Sequence, residues 1–421
     1  MRPIYSLLFL ALLPLIVLRL FLKGRALPAY RQRIAERFAR YSSEPLASSP
    51  VWIHAVSVGE CEAAFPLIRK FRCEQPGLPI LMTCTTPTGS SRIQSVLGDS
   101  VTHVYLPYDL PWIARRFFRH FNPRLGIIME TEIWPNLFGV ADEMGVPLMI
   151  ANGRLSERSM RGYSRLSSLI ASALRPVKRI AAQSKADADR YQAIGASAGS
   201  VMNTGNIKYD IEWNAAQASE SQALRRTWFH HRKVIVAGST HPGEESLVLN
   251  AFEQVRERFP DTILVLVPRH PERGAAVREI CQRDGFSVKL FTETTLIDAN
   301  DDVLVIDRVG ELRRFYGACQ VAYIGGSLVP HGGQNPLEPL VAGVPVLFGP
   351  HMTNFKEIRK HILEARAGIE VHSDAELANR LIWLLDDPEQ ARSMGARGEI
   401  MLRQNQGAMN RIYELTAELL G

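Results

Sequence analysis

Residues 203–232 read NTGNIKYDIEWNAAQASESQALRRTWFHHR, and this stretch decides how the chain divides. It is polar and interrupted, and the same pattern runs on either side of it. Before it, the short apolar runs VWIHAV, PILMTCTT, VTHVYLPY, RLGIIMETE, VPLMIANG and RIAAQS alternate with amphipathic stretches such as EAAFPLIRKFRCEQ and LPWIARRFFRHF. After it come KVIVAGST, TILVLVPRH, FSVKLF, VLVIDR, VAYIGGSL and VPVLFGP, again with helical stretches between them. Apolar runs alternating with helices imply a parallel, doubly wound α/β sheet. A chain of 421 residues exceeds one ordinary core. The expectation is therefore two Rossmann-like domains facing a cleft, residues 26–205 and 233–421, joined by a linker over 206–232. The tail beyond Pro388 is helical by composition and is grouped with the second domain.

The first 25 residues stand apart. IYSLLFLALLPLIVLRLFL, Ile4 to Leu22, is apolar except for Ser6 and Arg19. At about 1.5 Å per residue it makes roughly 28 Å of helix, close to a bilayer core. Residues 1–25 are read as a membrane anchor, single-pass. A cleaved signal peptide and an interfacial helix are the alternatives, the latter suiting Pro14 and Arg19. Residues 1–50 carry eight basic side chains (Arg2, Arg19, Lys23, Arg25, Arg31, Arg33, Arg37 and Arg40) against Glu36 and Glu44. That accounts for the whole formal charge of +6. A neutral remainder does not call for nucleic acid, and the cationic flank after the apolar run places the bulk of the chain in the cytoplasm. The five cysteines (Cys61, Cys73, Cys84, Cys281 and Cys319) show no CxxC spacing and fit a reducing compartment rather than a zinc site or disulfide framework.

In open α/β sheets a ligand lies beyond the carboxyl ends of the strands. That rule selects HAVSVGE and METEIWPN in the first half, and GSTHPGEE, VPRHPER, DRVGE and GGQNPLEP in the second. Glu60 opens a helix after the first strand, so it is either a carboxylate at a helix N-terminus or a general base. Glu130 and Glu132, around Thr131, follow the fourth strand, where one could face the cleft while the other meets the flanking structure. Asn335-Pro336 suits a helix start, with Asn as N-cap and Pro at the first helical position. Such a start, with Gly325-Gly326 and Gly332-Gly333 before it, suits phosphate oxygens. Glu338 either favours the helix dipole or grips two ribose hydroxyls. Arg269 supplies a cation at another strand end, and Gly310-Glu311 presents backbone that suits a base edge.

Together HAVSVGE, METEIWPN, NGRLSERS, TGNIKYD, GSTHPGEE, LVPRHPER, GGSLVPHGGQNPLEP and GPHMTNF resemble the Kdo transferase family, the lipid A 3-deoxy-D-manno-octulosonic acid transferases of Gram-negative bacteria. The resemblance runs from the anchor through about residue 360. It departs at Gly153, where the family has Arg or Ala, and at Gln334, where the family's GGHNPLEP has His, so Gln334 is given no catalytic task. The resemblance implies a two-domain GT-B glycosyltransferase that transfers Kdo with inversion. The donor it implies is CMP-Kdo, and the acceptor a phosphorylated tetraacyldisaccharide lipid A precursor (lipid IVA) in lipopolysaccharide core synthesis. It implies Glu60 as catalytic base, and Glu130 and Lys208 as transition-state stabilisers. CMP is implied to lie on Pro268 and Arg269, on Val309, Gly310 and Glu311, and on Asn335, Pro336, Leu337 and Glu338. No metal or other cofactor is implied, and the implied location is the cytoplasmic face of the bacterial inner membrane. The rival readings are a nucleotide-sugar epimerase or another glycosyltransferase of the same architecture, and a non-catalytic membrane-bound binding protein. Residues 1–25 speak against a soluble epimerase, and the many strand-end carboxylates and glycines speak against a mere binder.

Overall fold

A computed structural model describes residues 1–42 and 44–421. The chain forms two compact units, Met1–Asp210 with Gln406–Gly421, and Ile211–Asn405. In the first unit, β1 (Val51–His54), β2 (Ile80–Cys84), β3 (Thr102–Tyr105), β4 (Leu125–Met129), β5 (Leu148–Gly153), β6 (Val177–Ala182) and β7 (Val201–Asn203) form one sheet. Their order is β3-β2-β1-β4-β5-β6-β7. The second unit repeats the plan with β8 (Val234–Thr240), β9 (Ile263–Pro268), β10 (Val288–Leu290), β11 (Val303–Val305), β12 (Val321–Ile324), β13 (Val346–Phe348) and β14 (Gly368–Glu370). Its order is β10-β11-β9-β8-β12-β13-β14. Every pairing is parallel. The doubly wound expectation holds in both halves.

Both faces of each sheet are covered, so the strands are apolar almost throughout. Alternation sorts the side chains within them. Val51 and Ile53 join Met82, Ile127 and Met149 under the helix Val58–Glu74. Trp52 points the other way, to Phe117, Phe118 and Leu148 under the helix Pro111–Phe121. The Trp52 indole N–H donates to Thr83 Oγ1 at 2.8 Å, which satisfies its one polar atom in the core. Truncating it to Ala would cost about 3–5 kcal/mol.

The division differs from the expected one in two places. The units meet at Asp210/Ile211, and residues 206–232 are not a free linker. They contain a short 3₁₀ turn, Ile207–Tyr209, and the helix Ala215–Leu224, whose Asn214 and Gln217 form a reciprocal capping box. The last sixteen residues also leave the second unit for the first. Asp210 accepts the backbone N–H groups of Gly407 and Met409, each at 2.5 Å, at the start of the helix Ala408–Leu420. That helix buries Ile412 and Thr416, with Thr416 against Met149 of β5. Composition showed the helix but not its partner. Two strands were also missed, β7 and β14. Each has three residues at a sheet edge, too few to show a period.

Candidate active site

Each sheet reverses its winding once, between β1 and β4 in the first unit and between β8 and β12 in the second. Loops leaving adjacent strands at such a point turn in opposite directions and open a crevice. The polar motifs sit there. Glu60 follows β1, Glu130 follows β4, the GSTHPGEE loop follows β8, and the glycine-rich stretch follows β12.

Ser57 caps the helix Val58–Glu74, its Oγ lying 3.4 Å from the Glu60 N–H that it accepts. In return the Glu60 carboxylate is fixed at both oxygens. Oε2 accepts the Val56 N–H at 2.7 Å, and Oε1 accepts the Ser57 hydroxyl at 3.1 Å. The helix-start reading of Glu60 is thus realised, and the same bonds fix the direction of its carboxylate. Burial pushes its carboxyl up to about 7. The Val56 N–H opposes that rise, the charges of Glu130 and Glu132 add to it, and the Ser57 hydroxyl opposes it. A carboxyl near neutrality exchanges protons at physiological pH, which suits a general base.

Glu130 does not continue β4. It adopts φ 56°, a left-handed conformation uncommon for a residue with a side chain. Its N–H still reaches Ala151 O at 3.0 Å, while its carbonyl accepts the Tyr191 hydroxyl at 2.8 Å. The strand therefore ends at Met129, and strand alternation does not decide where Glu130 and Glu132 point. Both charges act on Glu60. Burial also raises the Glu132 carboxyl, with a Trp134 hydrogen bond opposing and Glu130 adding. Lys208 joins the group from the 3₁₀ turn Ile207–Tyr209. Burial lowers its ammonium, Glu130 works against that, and Arg154 adds to it. Glu60, Glu130 and Lys208 are thus one electrostatic cluster. Glu132 and Arg154 belong to it as well, and sequence reasoning gave neither a role. Both lie inside quoted motifs, METEIWPN and NGRLSERS, Arg154 one residue and Glu132 three residues past a strand end, which was the available signal.

In the second unit the strand-end loops are stapled by a buried carboxylate. Glu244 accepts the N–H groups of Gly326 (2.7 Å), Ser327 (3.1 Å), Leu328 (3.1 Å) and His241 (3.2 Å), and the Tyr323 hydroxyl at 2.6 Å. A carboxylate satisfied this fully costs little to bury and holds the loop after β12 against the loop after β8. Gly325 is required there, since a Cβ would come within 2.4 Å of Ser239 O. His241 stacks on His331 with ring centroids 4.2 Å apart, and Gln334 Nε2 lies 3.0 Å from His241 Nε2. Gln334 is thus a polar neighbour of an imidazole.

The helix expected at Asn335-Pro336 begins one residue later and has five residues, Leu337–Val341. Asn335 Oδ1 still accepts the Leu337 N–H at 3.1 Å, and its amide donates to Glu338 Oε1 at 3.3 Å. So short a helix has little macrodipole, which removes the dipole reading of Glu338. Burial raises the Glu338 carboxyl, against Arg313, the Asn335 bond and Arg269. The charges of two guanidiniums thus act on this carboxylate. Arg269 is exposed, following Pro268, the last residue of β9, and its N–H is fixed to Thr240 O at 2.9 Å. In the third segment Val309 is 80% exposed and Gly310 takes φ 92°. The Glu311 carboxylate is occupied by Arg308 (2.6 Å) and Arg314 (2.7 Å), so this segment offers backbone rather than a free charge. Among the described residues no group of three His, Cys, Asp or Glu side chains is placed to hold a metal ion.

Residues 32–211 match the family model for 3-deoxy-D-manno-octulosonic-acid transferase, and residues 244–401 match that for glycosyl transferases group 1. The chain is 39% identical to the 3-deoxy-D-manno-octulosonic acid transferase of Haemophilus influenzae, over 98% of this chain and 97% of that one. It belongs to the 3-deoxy-D-manno-octulosonic acid transferase family. The Bordetella pertussis member is 33% identical over the full length of both chains, and a probable mitochondrial member from Arabidopsis thaliana is 33% identical over 91% of this chain and 85% of that one. Among solved structures, a glycosyltransferase from Rickettsia africae (TM-score 0.56, 10% identity) covers 89% of this chain and 98% of its own. The UDP-GlcNAc 2-epimerase of Neisseria meningitidis (TM-score 0.55, 12% identity) covers 88% and 99%. At such identities these two show the GT-B-like fold alone. The resemblance read from eight motifs is the family the full-length comparison finds.

Proposed function

We propose that this transferase moves Kdo from CMP-Kdo to a hydroxyl of a phosphorylated lipid A precursor such as lipid IVA, with inversion, at the cytoplasmic face of the bacterial inner membrane. Glu60 accepts the proton of the attacking hydroxyl as that oxygen bonds to the anomeric carbon. The bond from that carbon to the CMP phosphate breaks on the opposite side, and the electron pair leaves with the phosphate. Lys208, whose ammonium form Glu130 favours against burial, offsets negative charge in the transition state. In the second unit Arg269 faces the phosphate, and Glu338 accepts the ribose hydroxyls. Gly310, between Val309 and Glu311, offers backbone to the cytosine. Asn335, Pro336 and Leu337 set the turn that presents Glu338. No metal is needed, because CMP carries a single phosphate and the cations are supplied by side chains.

The observation that carries this reading is Glu60, a carboxyl held at both oxygens and raised to about 7 beside two further carboxylates and a lysine. The membership in a Kdo transferase family supplies the sugar. The test is direct. Purified protein is incubated with CMP-Kdo and lipid IVA, and the products are weighed by mass spectrometry. A mass gain of one or more Kdo units with matching CMP release is expected, and CMP release without glycosylated lipid would refute the acceptor.

A further inference from the structure

The N-terminal helix, Arg2–Ala26, is fastened to the first unit at its start, and the chain just past its end is fastened there too. In its first turn Arg2 Nε donates to Asn136 Oδ1 at 3.3 Å, and Arg2 Nη2 to Glu143 Oε1 at 2.7 Å. The other Glu143 oxygen takes Arg115 at 2.7 Å. The Tyr5 hydroxyl donates to Asp109 Oδ2 at 2.8 Å, and Asp109 is buried. Gly139 makes the approach possible, since a Cβ there would lie 2.4 Å from the Arg2 guanidinium. At the far end the chain folds straight back. Arg31 reaches Phe21 O at 3.1 Å, Arg33 reaches His103 O at 2.8 Å, and Arg37 reaches Thr85 O at 2.9 Å.

Between those ties the helix has two faces. Phe9 and Leu13 are partly buried and pack on the core of the first unit. Ile4, Leu8, Leu12, Leu15, Leu18 and Leu22 run down the opposite side and are each 49–62% exposed. Twenty-five helical residues at about 1.5 Å each are roughly 37 Å long. A spanning orientation would carry Arg2 and Tyr5 to the far side of a bilayer. There Asp109, Asn136 and Glu143 are out of reach, and Asp109 would be left buried with its Tyr5 partner gone.

The geometry points to a different arrangement: the helix lies in the plane of one leaflet, its leucine stripe in the acyl region and its other face on the first unit. A polar first turn tied to the protein and a long aliphatic stripe with nothing over it suit an interfacial helix. The surroundings fit the same surface. Trp112 is 49% exposed and lines, with Leu7, Leu10 and Arg115, a cavity of about 530 Å³ beside the helix, a combination of indole and guanidinium suited to the headgroup level. Arg19, Lys23 and Arg25 are exposed near its end and suit anionic lipid. The catalytic unit therefore rests on the membrane. This inference is independent of the sugar transferred.

The test uses the full-length chain with one cysteine in a short extension ahead of Met1, reconstituted in sealed vesicles of phosphatidylethanolamine and phosphatidylglycerol (3:1). A membrane-impermeant maleimide is added before and after lysis. Cys73 is exposed on the first unit and reports which side that unit faces. In-plane placement predicts that the extension cysteine and Cys73 label to the same fraction in sealed vesicles. Labelling of the extension only after lysis, with Cys73 already labelled, would overturn it in favour of a span. Flotation of L8S/L15S, without the extension, provides a second readout. Partition into these vesicles should fall at least tenfold. If the parent does not float and is instead a dimer that L8S/L15S dissolves, the stripe is an interface between copies and the inference fails.

Discussion

Replacing Glu60 by Ala is expected to abolish transfer and leave CMP affinity near the parent value, because the proposed nucleotide groups belong to the other unit. Losing a positioned general base lowers the rate by about 10²–10⁴. The structure adds a pH signature. With the carboxyl at about 7, only about 3% is ionised at pH 5.5, so the parent should run roughly thirtyfold below its plateau there. The residual rate of E60A should lack that slope. Stability gives a second, signed readout. A carboxyl raised in the folded state binds more protons there than in the unfolded chain. The parent's stability is therefore full below the unfolded value near 4.5 and falls as pH rises through about 7. The loss is up to about 3 kcal/mol, less to the extent that solvent reaches the half-buried carboxyl. E60A has no such loss. Measured by denaturant unfolding at pH 5 and pH 8, the variant should gain on the parent as pH rises, even if losing the Val56 and Ser57 bonds leaves it weaker at pH 5. The reasoning is refuted if E60A keeps more than about a tenth of the parent rate. It is also refuted if the stability difference does not change with pH.

Glu338→Gln should weaken CMP binding by roughly 10- to 150-fold in calorimetric titration, the loss of a charge-assisted pair worth about 1.5–3 kcal/mol, with an unchanged melting curve. Unchanged affinity would remove the ribose contact. Glu244→Gln should destabilise the second unit by about 2–4 kcal/mol and loosen CMP binding with it, because an amide cannot accept all five donors; denaturant unfolding and titration of the same sample check both. Incubation with EDTA should leave transfer intact in the product assay, and a loss restored by added metal would show that the side-chain cations do not suffice.

The central strands were legible because both faces of each sheet are covered, so every one except the shortest edge strands is an apolar run bounded by turn residues. The strand-end rule then led from those runs to Glu60, Glu130 and the glycine-rich stretch. What it missed depends on distance along the chain or on backbone turns. Nothing local to Ala408–Leu420 says that it packs on Met149. Glu130 looked like a strand residue because METE continues an apolar run, and the left-handed turn is a property of the folded backbone. Arg154 and Glu132 gain their roles only from being gathered with Lys208 and Glu60. The N-terminal run was readable as one long apolar helix from composition, but its attachment to Asp109 and Asn136 was not, since those partners lie more than a hundred residues away.

The return of Gln406–Gly421 to the first unit has a consequence for how the protein is made. The second unit, 195 residues from Ile211 to Asn405, is an insertion in the first. At about 5–20 residues per second the ribosome needs roughly 10–40 s to synthesise it. During that time the first seven strands are already outside without their last helix, and the surface awaiting Ile412 and Thr416 stays open. The inserted half has all its own residues before the host half does, so completion runs against the order of synthesis. A chain that loses its final sixteen residues has a whole second unit and an unfinished first one.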